Sequence, residues 1–140
     1  MEFYEVGRTI AAKPETIWAI LTDAAGYTAW DSGVERVEGT ISPGSKIKVF
    51  SKISPGRAFP VKVALDPPSQ MTWTGGMPLG LFKGVRTFTL TFESETLTRF
   101  DMREEFTGPL LSMIWRSMPD LTASFEQFAD GLKEAAEGAD

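Results

Sequence analysis

Neither cysteine nor histidine occurs anywhere in the 140 residues. Without cysteine there is no disulfide, no thiolate nucleophile and no thiolate-held metal. Without histidine the usual general base, the Ser-His-Asp triad and imidazole-ligated zinc or iron sites are excluded as well. Any catalysis has to rest on carboxylates, Lys, Arg, Tyr, hydroxyls or a borrowed cofactor, and no metal or cofactor is the expectation. Positive charge is also in short supply. The chain has 14 Lys and Arg against 19 Asp and Glu, a net charge of −5 and a pI near 4.8. That balance argues against a broad basic surface for nucleic acid. Long apolar runs are missing too, and none approaches the ~20 residues of a membrane-spanning helix. The acidic, alternating start MEFYEVGRTI reads as a strand rather than a signal peptide, so a cytoplasmic protein is the expectation.

What is present fits one domain over residues 1–140, with no shift in composition to divide it. A chain of this length buries roughly 70% of the surface its unfolded form exposes, so it needs no covalent staples. Residues 2–11 alternate as a strand. In AAKPETIWAILTD, Pro14 and Glu15 suit a first helical turn, and Ile17, Ile20 and Leu21 make an apolar stripe. AAGYTAWDSG predicts a second short helix ending near Asp31, with Gly33 after it. Strand-like segments around 34–42, 45–54, 58–66 and 70–75 are separated by SPGS, SPGR and DPPSQ, all turn chemistry. A longer pair follows at 81–93 and 97–107. In the last segment Leu121, Phe125, Phe128, Leu132 and Ala135 mark one helical face, and Pro119 predicts a break before it. Strands joined by short turns with helices at the chain ends predict an α+β fold with an antiparallel sheet.

This order resembles the SRPBCC superfamily of START-like, helix-grip proteins, including the polyketide cyclase/dehydrase-like group. The residues that carry the resemblance are AAKPETIWAILTDAAGYTAWDSGV, MTWTGG, GLFKGVRTFTL and TRFDMREEFTGPLL. The resemblance implies a curved seven-stranded antiparallel sheet, two short helices and a long C-terminal helix around a mostly apolar cavity. Its members include lipid carriers, metabolite binders, aromatase/cyclases and chaperone regulators, so the fold alone does not decide function. Many similar bacterial members carry histidine where this chain has Arg86, and often another near Met102. Histidine chemistry in those relatives does not carry over.

The hairpin 81–107 contains an irregularity. If SET closes it, Glu93 faces Leu97, Leu90 faces Phe100, Phe88 faces Met102, Arg86 faces Glu104 and Gly84 faces Phe106. Every large apolar residue then shares one side, and Arg86 and Glu104 share it with them. Two such charges are tolerable only in contact. The pair either fixes register or anchors the polar end of an apolar ligand at a cavity wall. An arginine that stays protonated holds the glutamate ionised, which argues against proton transfer.

Further candidates for a ligand wall are Phe59, expected inward with Val61, Val63 and Leu65, then Met71 and Trp73 on the next strand, and Phe82 after the GGMPLG turn. Ile47, Val49 and Ile53 are expected inward, with Phe50 outward or towards an edge. Near the C-terminal helix Met102, Met113, Trp115, Met118 and Phe125 are bulky and adaptable, in keeping with either core or cavity lining. GGMP and SPGS lack the Lys and following helix of a P-loop and read as turns. Asp23 and Asp31 read as helix caps. The function expected is binding of a hydrophobic or amphipathic small molecule (a lipid, polyketide or aromatic metabolite) between sheet and helix. The alternatives are a cyclase/dehydratase-type enzyme and a chaperone-regulator-like interaction module.

Overall fold

Period-two alternation gives seven strands in the computed structural model, which describes residues 1–139. They are β1 (Glu2–Ile10), β2 (Val34–Glu38), β3 (Lys46–Ser51), β4 (Ala58–Asp66), β5 (Gln70–Gly76), β6 (Lys83–Ser94) and β7 (Leu97–Thr107). Helix α1 (Pro14–Leu21) and a 3₁₀ turn (Ala25–Thr28) lie between β1 and β2, and α2 (Leu111–Trp115) and α3 (Thr122–Glu137) close the chain. All strands pair antiparallel in the order β1-β7-β6-β5-β4-β3-β2. The fold is thus the α+β helix grip, a curved sheet holding a long C-terminal helix. Among the described residues no helix is long and apolar enough to cross a membrane.

One face of the sheet packs the core. Val6 and Ile10 of β1, Val63 of β4, Met71 and Trp73 of β5, Phe88 and Leu90 of β6, and Phe100 and Met102 of β7 are buried against Phe125, Phe128, Ala129 and Leu132 of α3. Each fully buried large side chain contributes about 1.5–3 kcal/mol, which makes this layer the main source of stability. Helix α3 also has polar fastenings along its length. Arg8 of β1 pairs with Glu126 and donates to Asp130 at 2.8 Å. Lys133 Nζ donates to the Thr9 carbonyl at 2.9 Å, and the Ala11 N–H donates to the Glu137 carboxylate at 2.9 Å. Gly131 touches the backbone of Asp31, and Gln127 donates to the Asp31 carboxylate at 2.7 Å.

Several boundaries differ from the sequence reading for local reasons. The second helix is a single 3₁₀ turn that stops at Thr28, three residues short of Asp31. Neither Asp23 nor Asp31 caps a helix; Asp31 holds Gln127 instead. β2 ends at Glu38 because Gly39 turns the chain at a φ of 111°. β3 ends at Ser51, which leaves Ile53 in the following turn and 39% exposed rather than inward. A bulge after Phe92 pairs Leu97 with Ser94 in place of Glu93, while the rest of the expected hairpin register holds. Phe50 points away from the core, under the Arg36 guanidinium at 3.8 Å. The break at Pro119 separates α2 from α3, and the buried stripe of α3 ends on Ala136 rather than Ala135.

Two tests follow from the fastening of α3. Gly→Ala inside a helix ordinarily stabilises by about 1 kcal/mol. At Gly131 a Cβ would overlap the Asp31 carbonyl, so Gly131→Ala is expected to destabilise by about 1–3 kcal/mol in urea unfolding. The Glu137 carboxyl is held below its ordinary value by the Ala11 N–H first and Lys133 second. Its contribution is therefore present above the unfolded-state value and lost as pH falls through the lower folded one. The stability gap between wild type and Glu137→Gln is expected to close on acidification below about pH 4.5; a gap independent of pH would contradict it.

Candidate ligand-binding site

Register places a row of side chains across four neighbouring strands of the concave face. Tyr4 pairs with Glu104, Glu104 with Arg86, and Arg86 with Trp73. Strands lie ~4.8 Å apart, so the row runs about 14 Å from Tyr4 to Trp73. At its centre both Nε and Nη2 of Arg86 lie 2.8 Å from one carboxylate oxygen, Oε1 of Glu104. The side chains keep 21% and 17% of their exposure, so water reaches the pair although it faces the core. The guanidinium lies 4.8 Å over the ring of Phe125, a cation–π contact that ties the row to α3. Because Oε1 takes both bonds, Glu104 Oε2 and Arg86 Nη1 have no protein partner among the described residues.

Aromatic rings enclose this pair on the side of α2. Tyr4 contacts Trp115 at 5.4 Å and Phe125 at 5.7 Å, Phe106 contacts Trp115 at 5.5 Å, and Phe82 stacks on Phe106 at 5.9 Å. Beyond the row, towards the β5–β6 connection, the inner face loses its side chains: Gly84 pairs with Gly75. A Cβ on Gly84 would stand 3.0 Å from Glu104 Oε2, and one on Gly75 would stand 2.8 Å from the Pro60 carbonyl. The bare strip opens into a groove of about 500 Å³ lined by Thr74, Gly75, Gly76, Met77, Pro78, Gly80, Phe82 and Lys83. A second, shallow concavity of about 310 Å³ lies at Lys13, Pro14, Glu15, Phe92 and Glu95, away from the pair.

Arg86 and Glu104, expected as neighbours, meet directly. Met71, Trp73, Phe88, Met102 and Phe125 are all buried in the layer behind them, where they fill the space between sheet and α3. Phe82 is half-buried at the groove, and Met118 is half-buried between α2 and α3. Two candidates lie outside this group. Phe59, at the start of β4 where the sheet curls away, is 37% exposed beneath the Arg57 guanidinium. Met113 is on the outer side of α2 and 55% exposed. Tyr4 and Gly75 were not singled out by the sequence reading. Tyr4 reaches the site only because β1 pairs with β7, about a hundred residues away, and local alternation carries no sign of that pairing.

Two indole N–H groups, of Trp30 and Trp73, are buried with no hydrogen-bond partner. The Tyr27 ring is in contact with both tryptophans, and its hydroxyl donates to the Leu21 carbonyl at 2.6 Å. Burial pushes the Tyr27 phenol well above its ordinary value, so it remains a neutral donor and no proton carrier. No cluster of metal-ligating side chains occurs among the described residues.

Comparison with known proteins adds to this geometry. The family described as polyketide cyclase / dehydrase and lipid transport matches residues 3–137. Among solved structures, the ZhuI aromatase/cyclase from Streptomyces sp. R1128 superposes with a TM-score of 0.75 at 14% identity, covering 97% of this chain and 93% of its own. A START superfamily protein from Mycobacterium smegmatis gives 0.67 at 16% identity, with 99% of each chain covered. A Mesorhizobium loti protein gives 0.74 at 18% identity, also with 99% of each covered. At such identities these likenesses establish the fold alone. Comparison with curated proteins finds no match.

The pair itself can be tested without a ligand. Removing one charge leaves the other partly buried against aromatic rings, so Arg86→Met and Glu104→Leu are each expected to cost about 1.5–3 kcal/mol in urea unfolding. The double variant is expected to cost less than their sum, with a coupling of about 1–2 kcal/mol. Strict additivity would mean that the two side chains act separately.

Proposed function

The chain belongs to the polyketide cyclase/dehydrase and lipid-transport family, and from that premise we propose that it binds a hydrophobic or amphipathic small molecule on the concave face of the sheet. The observation that carries this reading is the Arg86–Glu104 pair. It sits partly wetted inside an aromatic enclosure, with one oxygen and one nitrogen unspent, next to a glycine strip that leads to an open groove. An apolar site with a few placed polar groups is how small-molecule pockets are generally built. The apolar part of the ligand lies against Phe82, Phe106 and Trp115, and its polar end meets Arg86 and Glu104. Because Met71, Phe88 and Met102 fill the deeper interior, binding is confined to the α2 end unless α2 moves. A lipid, a polyketide and an aromatic metabolite all meet these terms, and the expected setting is the cytoplasm.

Catalysis of the cyclase/dehydratase kind is less well supported. Glu104 Oε1 is already engaged by Arg86 at 2.8 Å, and the Tyr27 phenol is sealed in the core. An interaction module has one observation in its favour. The interior is well filled, while Met77, Leu79 and Leu81 stand exposed on the groove's turn, Leu79 at 97% and with a left-handed φ of 61°.

The test is uptake of fluorescent fatty-acyl and polycyclic aromatic probes by the purified protein, with native mass spectrometry as the second readout. Micromolar binding is expected, with stabilisation of about 2.7 kcal/mol at a hundredfold excess over Kd. Arg86→Leu is expected to weaken polar-headed probes about tenfold more than purely apolar ones. No uptake of any probe, together with a discrete crosslinked protein partner lost on Leu79→Ser, would replace this reading with the interaction module.

A further inference from the structure

The charge arrangement of the site bears on which head group it accepts. Arg86 is neutralised where it stands: two of its nitrogens share Glu104 Oε1 at 2.8 Å. Arg8 is committed elsewhere, to Glu126 and Asp130 of α3. Lys83 lines the groove but is exposed, where salt and water screen it. An incoming anion would therefore find no unspent positive charge in the enclosure, and it would face Glu104 Oε2, which carries negative charge and has no partner.

The unused hydrogen-bonding capacity has both signs. Arg86 Nη1 offers donors and Glu104 Oε2 offers an acceptor. A carboxylate or phosphate supplies acceptors only. A carboxamide or a comparable neutral group supplies a carbonyl for Arg86 and an N–H or O–H for Glu104.

We infer that the site selects an uncharged head group bearing both a hydrogen-bond acceptor and a donor, and discriminates against carboxylate and phosphate heads; this rests on the small-molecule binding reading above. The built-in carboxylate acts as the counter-ion that a fatty acid would otherwise supply, so the specificity is set by Glu104 as much as by Arg86.

The experiment compares octanamide, octanoate and octan-1-ol by calorimetric titration at pH 7.5, which keeps chain length fixed and changes only the head. Wild type is expected to bind octanamide at least tenfold more tightly than octanoate. Glu104→Gln frees the Arg86 charge and is expected to reverse that order. If Glu104→Gln fails to fold, the wild-type ratio of octanamide to octanoate affinity carries the test on its own. Equal binding of all three probes, or a preference for octanoate, would overturn the selectivity while leaving small-molecule binding intact. Binding of none of them, alongside no uptake of the fluorescent probes, would overturn the binding reading itself and this inference with it.

Discussion

Two opposite charges on a face that otherwise packs aromatic rings remain ionised only in contact with each other and with some water. Arg86 and Glu104 meet both conditions, and the surrounding architecture follows from them. Their contact fixes the register of the central hairpin, because a one-residue slip would send every inward side chain of one strand to the opposite face. The Phe125 ring over the guanidinium sets where the long helix crosses the sheet. One polar contact thus bears on strand register, on helix placement and on where the concave face keeps a part-exposed charged pair.

Much of this was readable beforehand because it is local. Strand alternation, the turn chemistry of SPGS and SPGR, the Pro119 break and the Arg86 to Glu104 pairing all depend on neighbours within one hairpin or one helix. Errors fell where local and tertiary demands compete. Ile53 continues the alternation of β3, yet the turn ends the strand before reaching it. Phe59 keeps its place in the β4 pattern, yet the sheet has curled away from α3 there and no element covers the ring. The bulge at Phe92 adds a residue that no composition signal announces. The site was half-legible: its charges were in the sequence, but Tyr4 and Gly75 join it through pairings between distant segments.

Family membership and fold agree, yet neither supplies a chemistry. The structural relatives are under one-fifth identical, and one is described as an aromatase/cyclase while another is described only by its superfamily. At the centre of this chain's sheet stands an arginine paired with a carboxylate.

The two ends of the helical cover are joined to the sheet by different kinds of force. Helix α3 is fastened along its length by directional bonds involving Arg8, Lys133, Glu137 and Gln127, which break if the helix slides by an ångström or two. The α2 stretch is held at its start by the Leu110 N–H, which donates to the Leu81 carbonyl at 3.0 Å, and beyond that rests on ring-to-ring contact through Tyr4, Phe106 and Trp115, whose attraction is broad and tolerates lateral shift. Strain applied to this cover therefore concentrates at residues 116–121, the joint between a bolted segment and a greased one.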